Sequence, residues 1–143
     1  FLNYDLKIID DRLGEKRAAT AYDWKSFFEK ELHPTGSSDC PVESLNIMEN
    51  IYAAMTRKDL NGNPKDGWKP EQNLTLEQSL RLFTINSAYA CFAEEKKGSI
   101  KKGKSADFVI IDKDIRAVSP DDIKDIKIEK TYLSGKKLYD VNM

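Results

Sequence analysis

The residue types in this chain that do chemistry are few and stand far apart: Asp39, Cys40, Arg57, Trp68 and the single histidine, His33. Asp39 lies in "HPTGSSDCPVESLN", residues 33–46, where the text reads as the end of a short strand running into a turn. A carboxylate there can bind the amides of its own turn. Presented to a substrate, it can instead act as a general base and then as a general acid. Metal-assisted hydrolysis would add several histidine or acid ligands around a bound ion, and one histidine cannot supply them. Spacing alone therefore favours the turn reading. Cys40 has no histidine near it in sequence and reads as a small buried thiol and not a nucleophile. Arg57 has the chemistry to meet a substrate carboxylate or an internal acid. Trp68 sits in a loop where it could close over a ligand or pack the loop down.

The elements that must carry these residues follow from periodicity. "EKRAATAYDWKSFFEKEL" places Ala18, Ala21, Tyr22, Trp24, Phe27, Phe28 and Leu32 at helical spacing, and Pro34 ends that helix. "SLNIMENIYAAMTRK" predicts a second helix, with Ser44 or Asn46 as its cap. "DLNGNPKDGWKPEQN", residues 59–73, is a long loop. "TLEQSLRLFTINSAYACFAEE" predicts a third helix, opened by a Thr75/Gln78 capping box. Beyond Lys97 the period falls to two. "ADFVIIDKD" predicts one strand, "KIEKTYLSGKKLYD" two strands around Ser134-Gly135, and "SPDDIKDI" one helical turn between them. Residues 1–12 show no clear period and are expected to be irregular or extended.

The totals narrow the function. A chain of 143 residues makes one domain and falls short of the roughly 250 residues of a complete eight-fold barrel. With 23 basic against 24 acidic residues, the charge balance gives no reason to expect nucleic acid or an anionic membrane as partner. The lysines around residues 96–104 are interleaved with acids and read as solvated turns. Two distant cysteines make no disulfide framework, so reduced thiols and a cytoplasmic location are the expectation.

Several stretches taken together resemble the C-terminal portion of metal-dependent amidohydrolases of the amidohydrolase-3 type, often described as exoenzyme-regulatory-protein-like. They are "RLGEKRAATAYDW", "GSSDCPVESLN", "IYAAMTRKD", "LTLEQSLRLFTINSAYACF" and "KGSIKKGKSADFVIIDKD". The last carries Gly98, Ile100, Gly103, Lys104, Ala106 and Asp107 before an apolar strand. In order and spacing the similarity runs from about Arg12 to Tyr139.

The resemblance implies an α+β chain. Residues 1–95 would be the last β/α unit of a TIM-type barrel with its following helices. Residues 96–143 would be the C-terminal share of a small composite β-sandwich. It implies that Asp39 stands at the rim of the eighth barrel strand as the catalytic acid–base group, which reverses the turn reading for the whole enzyme. Arg57 and Trp68 become candidate substrate-binding residues. The metal ligands of such enzymes come from earlier strands, so no metal site and no cofactor are expected in this chain. A divalent ion, zinc first, and a small amide-type substrate are expected in the whole protein. The chain alone is expected to be inactive and to self-associate through unpaired strand edges. A stand-alone binding or regulatory module built from this end of the family is the alternative.

Overall fold

The computed structural model describes residues 1–142. Short helices α1 (Leu2–Asp5), α2 (Ile9–Leu13), α3 (Glu15–Ala18) and α4 (Trp24–Glu29) come first. The longest helix, α5 (Ile47–Thr56), follows, then α6 (Leu76–Leu82) and α7 (Ile85–Ala90). Three strands, β1 (Phe108–Ile111), β2 (Ile128–Leu133) and β3 (Lys136–Asp140), close the chain as one antiparallel sheet in the order β1-β2-β3. A 3₁₀ segment, Pro120–Asp125, lies between β1 and β2, with Ser119 before it and Pro120 at its first position. The fold is mixed helix and antiparallel sheet, as the period change after Lys97 foretells.

Helix α5 is the centre of the packing. Asn46 caps it, its side chain accepting from the Met48 amide at 3.1 Å. One face, Met48, Ile51 and Tyr52, packs on Ile123 and Ile126 of the 3₁₀ segment. Ile111 and Ile128 of the sheet join the same cluster. Ala54 on another face meets Leu74 and Leu82, with Trp24 and Phe28 of α4 packed alongside. Two apolar clusters thus flank α5, one shared with the sheet and one with α4 and α6, and Phe83 packs against both.

The structure corrects three expectations about the elements. Residues 1–12 are not extended: α1 and α2 form there, burying Leu2 and Ile9. The helix expected over 15–32 is broken at Thr20–Asp23. Tyr22 takes φ +53°, and Asp23 starts a new helix by accepting from the Ser26 amide at 3.2 Å. The helix expected after Thr75 has its capping box but divides at Phe83–Thr84. The Leu82 carbonyl is taken by the Gly36 amide at 3.0 Å and by the Ser87 hydroxyl at 2.7 Å, so it is spent outside the helical ladder. Gly36 can come this close because it has no Cβ; one would lie 2.3 Å from the Phe83 ring.

The segment leading to Asp39 also differs from expectation. Among the described residues, 32–38 pair with no strand. Their main chain is tied to distant elements by the Gly36 amide on the Leu82 carbonyl at 3.0 Å and by the Asn86 side-chain amide, which donates to the Pro34 carbonyl at 2.9 Å. A strand needs a neighbour to complete its ladder, and the sheet lies at the other end of the chain.

Candidate functional site

Asp39 ends that unpaired segment and is exposed, with its backbone in the left-handed region at φ +49°. Such a conformation is uncommon outside glycine, though aspartate tolerates it better than most residues. The turn is closed around it by main-chain bonds. The Val42 amide donates to the Asp39 carbonyl at 2.9 Å, and the Glu43 amide to the Ser38 carbonyl at 3.2 Å. The Asp39 amide in turn donates to the Ser37 hydroxyl at 3.1 Å. The bonds of this turn use the main chain of Asp39 and the Ser37 hydroxyl, and leave the Asp39 carboxylate free to face solvent.

Arg57 and Trp68 are brought together, at the other end of α5. Arg57 is fully buried, at 0% exposure. Its guanidinium donates to the Trp68 carbonyl at 2.7 Å, the Tyr22 carbonyl at 2.8 Å and the Ala21 carbonyl at 3.4 Å. It also lies over two indole rings, 4.9 Å from the centroid of Trp68 and 5.7 Å from that of Trp24. Planar, delocalised and weakly hydrated, a guanidinium suits such aromatic contacts. Desolvation pulls its pKa down to about 10, so it stays charged at neutral pH. The carbonyls of Ala21 and Tyr22 are open to it because the helix breaks there. The Trp68 amide returns a bond to the Arg57 carbonyl at 2.8 Å, and its indole nitrogen donates to Asp10 at 3.0 Å. Gly67 allows this docking: it has φ +83°, and a Cβ there would fall 2.2 Å from the Thr56 carbonyl oxygen.

Glu43, four residues past Asp39, carries no signal in the sequence. In the stretch 39–45 every residue is exposed except this one, at 7%. Val42 and Leu45 face outward at 59% and 79%. The Glu43 Oε1 lies 2.9 Å from the Phe1 nitrogen and meets no other donor among the described residues. Close by, the Tyr22 hydroxyl donates to Asp5 in a short hydrogen bond. Burial, then that bond, then the negative charges of Asp5 and Glu43 raise the Tyr22 pKa.

The remaining candidates are accounted for locally. His33 is exposed and stacks edge-on against Tyr89 at 4.5 Å. Cys40 and Cys91 are both free and exposed, so Cys40 is not the buried thiol its sequence context suggests. Asp107 accepts from the Ser134 amide at 2.7 Å and the Ser105 hydroxyl at 2.9 Å, tying the β2–β3 turn to the start of β1. Those two bonds, the amide first, hold its carboxyl below the usual range. Among the described residues no three His, Cys, Asp or Glu side chains gather to hold a metal ion. The donor set of this chain does not fit a divalent ion by itself; Asp39 could contribute one carboxylate to ligands supplied from elsewhere. No helix among the described residues is long and apolar enough to cross a membrane.

Comparison with known proteins shows which family this arrangement of helices and sheet belongs to. The Amidohydrolase family model matches residues 1–139, and the chain belongs to that family, of the amidohydrolase-3 type. YtcJ of Bacillus subtilis (strain 168), a protein named as an amidohydrolase, is 29% identical over 140 residues, covering 98% of this chain and 26% of its own length. The N-substituted formamide deformylase of Arthrobacter pascens is 26% identical over 116 residues, covering 81% of this chain and 21% of that protein. Among solved structures, an amidohydrolase from Thermotoga maritima MSB8 shares the fold with a TM-score of 0.59 at 22% identity, over 81% of this chain and 25% of that one. The chain spans about a quarter of the length of these relatives.

Proposed function

We propose that this chain forms the C-terminal part of a metal-dependent amidohydrolase that cleaves non-peptide carbon–nitrogen bonds of small amide-type substrates, with Asp39 as its acid–base residue. The observation that carries this reading is Asp39 itself: a carboxylate held in left-handed backbone, its own turn closed without it, in a chain matched to the family over residues 1–139. In this reading residues 1–95 complete the barrel and residues 96–143 give the C-terminal share of the composite sandwich, of which Met143 lies outside the described residues. Oδ of Asp39 takes a proton from the attacking water as its oxygen bonds to the substrate carbonyl carbon. It gives that proton to the nitrogen as the carbon–nitrogen bond breaks, leaving an acid and an amine. The divalent ion, zinc in this reading, belongs to ligands outside this chain.

Arg57 and Trp68 enter as a unit. With the guanidinium committed to three carbonyls and the Trp68 ring to that guanidinium and Asp10, their part in substrate binding is to hold the loop over residues 59–73 in place. Cytoplasmic location and self-association complete the proposal. Among the described residues the outer edges of β1 and β3 are both unpaired and both expose apolar side chains, Val109 and Ile110 on one and Leu138 and Tyr139 on the other. Such edges invite another strand.

The test is a panel of N-formyl and N-acyl amines assayed with this chain and with a longer polypeptide in which it follows a histidine-bearing barrel segment. The chain alone is expected to release no amine, and the longer polypeptide to release it in a manner that depends on Asp39. Turnover by the chain alone, or full turnover by the longer polypeptide carrying Asp39→Asn, overturns the reading.

A further inference from the structure

A donor closed off from water and left without an acceptor is costly and rare in folded chains. Among the described residues the Arg81 Nε is such a donor, and no ion pair involves its guanidinium. Glu77, one turn earlier on α6 and spaced for an i,i+4 pair, is not its partner. Arg81 lines a cleft of about 630 Å³ between α6 and the end of α4 with the residues that follow it. Phe28 and Leu32 give that cleft an apolar wall, and Leu32 is 51% exposed. Two further side chains with N–H groups line it, His33 and Gln78. The His33 ring rests edge-on against Tyr89. Its segment is fixed beside α6 and α7 by the Gly36 amide on the Leu82 carbonyl and by Asn86 on the Pro34 carbonyl. Gln78 gives its side-chain oxygen to the Thr75 amide at 2.9 Å, which leaves its NH2 group as the free end. Asp39 is not among the lining residues.

We propose that this cleft is a binding site, separate from Asp39, for a small organic carboxylate with an apolar body. Arg81 takes the carboxylate, His33 and Gln78 supply N–H groups beside it, and Phe28 and Leu32 receive the apolar part. The proposal goes beyond the hydrolase reading and does not depend on it. A guanidinium presents several N–H groups in one plane and so matches the two oxygens of a carboxylate. At an Nε closed off from solvent, such a bond meets less competition from water than at an exposed one. The cleft has the size of small-molecule sites, which run from about 300 to 1,000 Å³. Its acids set the charge of the ligand. Glu31 and Glu77 also line the cleft, and both are exposed. Their repulsion grows with ligand charge, so one carboxylate is favoured over a phosphate dianion.

The test uses the 143-residue chain, with phenylacetate as probe and amide NMR shifts as readout. Phenylacetate is expected to move the Leu32, His33 and Arg81 amides together, saturating with a midpoint of about a millimolar. Phenylacetamide has the same shape without the charge, and acetate has the charge without the ring. Each is expected to bind at least about tenfold more weakly, as is inorganic phosphate. Arg81→Met keeps an unbranched side chain and removes the donors. It is expected to weaken phenylacetate by at least about tenfold while the amide shifts of α5 stay as in the parent. Equal binding of phenylacetamide, tighter binding of phosphate, or undiminished binding in a folded Arg81→Met chain overturns the proposal, as does a phenylacetate titration that never saturates. The comparison with phenylacetamide is made in the parent chain, so it decides the matter even if Arg81→Met does not fold.

Discussion

The two ends of α5 treat charge in opposite ways. At its C-terminal end Arg57 is wholly buried, its donors spent on three carbonyls and its guanidinium within 6 Å of two indole rings. At its N-terminal approach Asp39 is exposed, and the turn around it is closed by main-chain atoms. Both residues have positive φ, +52° and +49°. The backbone strain is alike, and what differs is where the side chain's satisfaction comes from. A charge satisfied inside the chain explains itself through stability. A charge placed at equal backbone cost and left facing solvent gains no such stability, and in the proposed reading it serves the reaction.

Breaking the Arg57 end should give the largest effect. Arg57→Ala leaves three carbonyls without their donor and a hole beside two rings, at a cost of about 3–5 kcal/mol in urea unfolding. Arg57→Lys should recover only part, since an ammonium cannot span the three acceptors or lie flat against an indole. Gly67→Ala should cost about 2–3 kcal/mol in the same measurement, because a methyl group would run into the Thr56 carbonyl at a backbone angle that disfavours side chains. An unchanged urea midpoint for either would mean that the loop is not held by Arg57.

Smaller effects sharpen the contrast with ordinary capping. Asn46→Ala or Thr75→Ala removes one side-chain acceptor at a helix start and should cost about 1 kcal/mol. Asp107 offers a pH-resolved case. Its carboxyl is lower in the folded state than in the unfolded chain, so its contribution is present above the unfolded value of about 3.9 and is lost as pH falls through the lower folded value. Asp107→Asn should therefore lower the melting temperature at pH 7, and the gap to the parent should close near pH 2. A gap that persists in acid would show that the carboxylate charge is not what holds the β2–β3 turn.

Much of this was legible in the residues and some of it could not be. The cap at Asn46, the box at Thr75 and Gln78 and the hairpin around Ser134-Gly135 are local devices, written within a few residues of where they act. The breaks at Tyr22 and Phe83 are tertiary. Each occurs where a distant donor, the Arg57 guanidinium or the Gly36 amide, claims carbonyls that a continuous helix would have used. Periodicity cannot see a partner more than thirty residues away. Asp39 was visible as an acid among small residues, and the family resemblance is what implies a role for it. Glu43 was invisible because its meaning lies in burial, and "PVESL" has the composition of an exposed turn. Arg57 was visible as a charge, but its acceptors are main-chain carbonyls, which no sequence pattern displays.

The difference between the two ends of α5 reduces to one comparison: Asp39→Asn in the longer polypeptide, measured for both unfolding and amide hydrolysis. The account predicts unfolding within about 0.5 kcal/mol of the parent, as for an exposed side chain without a structural bond. It predicts hydrolysis slowed by about a hundredfold to ten-thousandfold. Full hydrolysis together with a stability loss of several kcal/mol would contradict it, and would make Asp39 a turn residue and nothing more.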